Sequence, residues 1–154
     1  MRPSDNPLDF GADMLEGTNP FAGILPRRPA KPVLSPNAPA PIGPYSQAIS
    51  AGGSVYCSGQ IGLDPATAQL VEGGVAEQTH RALTNLAAVL EAGRSSLRLV
   101  VKTTIFLVDM ADFATVNAVY ATFFPHVPPA RSTIAVAALP LGARVEIEAI
   151  ALTR

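Results

Sequence analysis

Arg131, in the stretch PPARSTIAV, and Glu148, in the alternating run RVEIEAIAL, are ionised side chains set in apolar, strand-forming sequence. An unpaired charge there costs several kcal/mol, of order 2 or more, in a low-dielectric interior, so the pair calls for a use. A guanidinium presents two parallel donors to a carboxylate, holding and orienting a small acid in a way a lysine cannot. A carboxylate beside it can carry protons during addition of water to an unsaturated carbon. The competing reading is a structural salt bridge at a subunit seam.

Glu146 and Arg144 precede Glu148 at two-residue steps on the same strand face and read as interface or surface ionic partners. The lone Cys57 reads as a small buried hydrophobe, and it excludes an intramolecular disulfide. His80 and His126 lie far apart in sequence and form no metal-ligand cluster, so no metal or cofactor is expected.

These residues need elements to position them. The 154 residues are 48% hydrophobic and 15% charged, enough for one compact domain with a real core. Net charge is -1 with no long basic run, which disfavours nucleic acid and anionic membrane as partners. No apolar stretch is long enough to span a bilayer. Nine of the fifteen prolines fall in the first 41 residues, together with Asp5, Asp9, Asp13 and Glu16. That composition predicts an irregular extension, taken as residues 1–37, ahead of a domain at 38–154. The four carboxylates argue against an Arg-rich mitochondrial transit peptide, and the cytosol is the expected location.

From Gly43 onward the pattern is regular. Residues 48–50 and 54–60 predict a hairpin turning on Gly52 and Gly53. Val75, Thr79, Ala82, Leu83, Leu86 and Leu90 recur at helical spacing before Gly93. Residues 99–108 are dense in β-branched side chains, and Asp112 is placed to cap a helix running to Phe124, ahead of Pro125. Strands at 131–137 and 144–152 complete the order ββαβαββ, an α+β fold whose two helices cover one face of the sheet. The uncovered face, mixing charge with aliphatic surface, suits a closed homo-oligomer with clefts between neighbours.

The segments IGPYSQAI, YCSGQIGLDP, VVKTTIFLVDMADFATVNAVYATFF, PPARSTIAVAALP and VEIEAIA resemble the reactive intermediate deaminase family (RidA, formerly YjgF), also known as endoribonuclease L-PSP or translation initiation inhibitor. The resemblance covers roughly residues 38 to 154. It implies a chorismate-mutase-like fold with a mixed sheet, a homotrimer with three inter-subunit clefts, and hydrolysis of 2-imino acids such as 2-iminobutanoate and 2-iminopropanoate to 2-oxo acids and ammonia, without a cofactor. It also implies that Arg131 grips the substrate carboxylate and Glu148 attends the reacting water, with Tyr45, Ser58, Gly59, Phe113, Asn117 and Thr133 in or beside the pocket. Threonine at 133 is a departure, since relatives often carry cysteine there, and it weakens any mechanism built on a thiol and leaves a Cys-modifying inhibitor no target at this position. Two alternatives stand beside deamination: a ribonuclease or translation inhibitor, which lacks the paired histidines and basic track such chemistry usually wants, and a non-catalytic binder of small carboxylates.

Overall fold

The computed structural model describes residues 29–154. Its elements are β1 (Lys31–Val33), β2 (Ala48–Ala51), β3 (Ser54–Ile61), α1 (Val75–Ala92), β4 (Val100–Leu107), α2 (Phe113–Phe123), β5 (Ala130–Ala135) and β6 (Val145–Leu152). The strands form one sheet in the order β1-β2-β3-β6-β4-β5, antiparallel except for the parallel pair β4 and β5. The β2–β3 hairpin turns on Gly52 and Gly53, at φ of 60° and 83°, a region glycine enters without a Cβ penalty.

The α+β order expected from the sequence is present, with β1 added at its start. Val33 and Ala38 join the core, so the chain between β1 and β2 is part of the domain rather than an irregular extension. Gln47 fixes it there. Its buried side chain accepts from Ser35 N at 2.6 Å and donates to the carbonyl of Pro39 at 2.8 Å, with weaker contacts to Ser35 and Ala38 carbonyls. Residues 1–28, which carry the rest of that call, lie outside the described residues.

One face of the sheet is core. Leu83, Leu86, Val89 and Leu90 of α1 and Val116 and Tyr120 of α2 pack with Val55, Ile105, Leu107, Val145, Ile147 and Ala151. The opposite face carries no helix. There Tyr56, Ile134 and Leu152 are exposed, and Glu146, Glu148 and Ile150 are half-buried.

Glu77 reaches back so that Gly74 N donates to its Oε2 at 2.7 Å, closing the first turn of α1. Asp112 stands at the N-cap of α2 but makes no side-chain cap. Arg144 Nη2 donates to both its carboxylate oxygens instead, at 2.7 and 2.8 Å, and binds the start of α2 to the start of β6.

Candidate active site

Register decides which side chains share a face, because directly paired residues project to the same side of a sheet. Arg131 on β5 pairs with Thr103 on β4, and Thr103 pairs with Ala149 on β6, so Arg131 lies on the helix-covered face. Ser132 pairs with Thr104, and Thr104 with Glu148, so Glu148 lies on the open face. The two residues expected to act together are therefore on opposite sides of the sheet within one protomer.

Two separate clusters result. On the helix side, Arg131 Cζ sits 5.0 Å from the Tyr120 ring centroid and 5.7 Å from that of Phe113, stacked against both aromatic faces. The Tyr120 hydroxyl is 2.8 Å from Thr103 Oγ1, which locks the ring that supports the guanidinium. Burial pushes the Tyr120 hydroxyl above its usual pKa, against opposing effects of the Thr103 hydrogen bond and the Arg131 charge. Asn117, Tyr120, Phe124, His126, Pro129 and Arg131 share one open cleft. Thr133 projects to the same face as Arg131, and its Oγ1 is buried without a hydrogen-bond partner.

The second cluster lies across the sheet. Tyr45, Gln47, Gly59, Ile61 and Glu146 line a cleft of about 260 Å³ under the segment Pro39–Ile42. The β3–β6 register slips between Cys57 and Gln60, so Ser58 and Gly59 form a bulge. A Cβ on Gly59 would run into the Glu146 carboxylate, so glycine is the residue that lets this acid lie against the strand. The Ser58 hydroxyl donates to Ser46 O at 2.6 Å, and Ser58 N to Gln47 O at 3.0 Å. Ser58 therefore holds the segment carrying Tyr45.

Glu146, read from the sequence as an interface or surface ionic partner, is the acid that the fold sets into this cleft. Burial, with the charge of Glu148 adding to it, raises its carboxyl above the ordinary pKa. The one ion pair among the described residues joins Arg144 to Asp112, so Glu146 has no ionic partner within the protomer. Glu148 instead borders a shallower depression with Tyr56, Lys102, Thr104 and Ile150. The signal favouring Glu146 is its apposition to the Gly59 bulge, which becomes visible only once β3 and β6 are paired.

The other readings fare as follows. Cys57 is buried and its thiol is pushed up to about 12 by desolvation. His80 and His126 are both exposed, His80 edge-on to Phe123 at 5.2 Å. No helix among the described residues is long and apolar enough to cross a membrane, and no group of His, Cys, Asp and Glu among them could hold a metal.

A single α+β sheet domain with an aromatic-backed arginine at its β5 edge and a half-buried acid beside a glycine bulge defines a class of small cleft-forming proteins. The chain belongs to the endoribonuclease L-PSP family, whose model matches residues 35–153. It is 53% identical to the mouse protein named 2-iminobutanoate/2-iminopropanoate deaminase, over 79% of this chain and 90% of that one. The human protein of the same name is 49% identical, over 78% of this chain and 88% of its own length. The crystal structure of the YjgF gene product from E. coli superimposes with a TM-score of 0.77 at 44% identity, covering 80% of this chain and 99% of that one.

Proposed function

We propose that the protein hydrolyses reactive 2-imino acids, of the size of 2-iminobutanoate and 2-iminopropanoate, to 2-oxo acids and ammonia. The relatives bearing that name support the reaction, and the two half-sites supply its chemistry. Arg131, held flat against Tyr120 and Phe113, receives the substrate carboxylate through two parallel donors. The hydroxyl of Thr133, on the same face, and the side chain of Asn117, in the same cleft, complete that half.

Water adds to the imine carbon while Glu146 takes its proton, and the same carboxyl delivers that proton to nitrogen. The hydroxyl of the resulting carbinolamine then gives its proton to the freed Glu146 carboxylate as the carbon–nitrogen bond breaks, ammonia leaves and the 2-oxo acid remains. No nucleophilic side chain is needed, because a protonated imine carbon is already electrophilic. Tyr45 closes the cleft beside Glu146 with an amphipathic wall.

A complete site needs two protomers in this reading. Arg131 and Glu146 are separated by two strand spacings, about 10 Å, and by the thickness of the sheet itself. A neighbour whose β5 edge crosses the open face brings its Arg131 to this protomer's Glu146, and repetition around a three-fold axis gives a homotrimer with three clefts. The open face, with its exposed Tyr56, Ile134 and Leu152 among the charges, supports that arrangement. We place the enzyme in the cytosol.

The observation that carries the proposal is the pair of incomplete half-sites, one holding a cation and the other an acid. The experiment follows ammonia release from 2-iminobutanoate generated in the cuvette. Arg131→Ala and Glu146→Gln should each return the rate to the spontaneous one, a loss of about 10² to 10⁴ for the proton carrier. A wild-type protein that leaves the spontaneous rate unchanged would make it a binder of carboxylates and end the proposal.

A further inference from the structure

Glu146 and Glu148 occupy alternate positions on β6, so their carboxylates stand on one face about 7 Å apart along the strand. The neighbouring elements contribute few charges. From β4, Lys102 borders the depression holding Glu148, and its Nζ donates to Ser132 Oγ at 2.8 Å. From β3 and the segment before β2, the titratable groups near the two acids are the phenols of Tyr56 and Tyr45. Arg144 is turned away to Asp112. Among the described residues, then, no cation lies within ion-pair distance of Glu146, while a second carboxylate stands two residues along on a half-buried surface.

We propose that Glu148 is a positioning residue that acts on the reaction through Glu146, its negative charge setting how tightly Glu146 holds the proton it must both accept and return. The inference rests on Glu146 being the proton carrier. A carboxyl with an ordinary pKa gives up its proton readily near neutrality and returns it poorly to a departing amine. Like charge close by, in a partly desolvated setting, moves one member of a carboxylate pair toward the middle of the pH scale. The upward displacement of Glu146, caused first by burial and then by Glu148, is in that direction. When a substrate carboxylate occupies the neighbour's Arg131, the cation that would counteract Glu148 is itself neutralised, so the tuning persists in the loaded site.

The test measures kcat/KM for in situ 2-iminobutanoate across the acid limb of the pH profile in wild type, Glu148→Gln and Glu148→Asp. The expected result is a midpoint moved to lower pH in the glutamine variant and returned toward wild type by aspartate, with both variants keeping more activity than Glu146→Gln. An unmoved midpoint in Glu148→Gln overturns the inference. Abolition of activity in Glu148→Gln with full activity in Glu146→Gln overturns the underlying assignment of the proton carrier instead. Should Glu148→Gln fail to fold, carboxyl carbon NMR of the unaltered full-length protein decides. Coupled acids titrate with mutually displaced, broadened curves, whereas independent single-step curves for the two residues would refute the coupling.

Discussion

Glu146 carries a cost at the scale of a single residue. A carboxyl raised above its unfolded value binds more protons in the native state than in the unfolded one, so stability falls as pH rises through the interval between the two values. In the dissociated protomer, where no neighbour's Arg131 faces the carboxyl, Glu146→Gln should therefore raise the melting temperature at neutral pH, with a gain that shrinks as pH falls through the native-state titration, while the same substitution abolishes activity of the assembled protein. Thermal scans at several pH values would check this, and a stabilisation independent of pH would contradict it. Such a trade is the usual sign of a functional group held against its preference. The sequence places both acids on one strand face and singles out Glu148 beside Arg131, whereas the cleft geometry favours Glu146 for the proposed role. Both carboxylates obey the same alternation, and only the register slip at Ser58 and Gly59 tells them apart.

Among the elements, α1 and α2 were legible because their apolar positions repeat at helical spacing and tertiary packing agrees with that pattern. β1 was not. It is three residues long with Pro32 at its centre, tolerable because among the described residues it is an edge strand lacking a partner on its outer side. What secures the chain after it is Gln47, a polar residue with no periodic signature, whose amide satisfies backbone groups between Ser35 and Pro39. Asp112 misled in a different way: it has the right type and place for a cap, yet its carboxylate is committed to Arg144. Gln47→Ala would orphan the buried Ser35 N–H and the carbonyl of Pro39. A destabilisation of about 2–3 kcal/mol is expected in denaturant titration, together with a rise in KM, because Pro39, Ala40 and Ile42 roof the cleft that contains Glu146. A loss of stability with KM unchanged would separate that segment from the site.

For the whole molecule, the prediction concerns mixtures. If each site draws Arg131 from one copy and Glu146 from another, two inactive variants can repair each other. Arg131→Ala and Glu146→Gln, unfolded together and refolded at equal amounts, should recover about a quarter of wild-type activity, the statistical share of junctions with both groups intact. Recovery of none would mean that both groups serve from the same copy. The expectation of an oligomer came from the charged and aliphatic alternation of β6, since one sheet face has no helix to cover it. Which side chains would meet across that contact was not readable, because it depends on strand order as well as on the alternation within each strand.

If each site does draw on two copies, the placement of Arg131 and Glu146 on opposite sides of one sheet also makes concentration a control on turnover. A protomer diluted below the threshold for association would stay intact in every hydrogen bond and still be silent, so activity would vanish on dilution well before any loss of secondary structure.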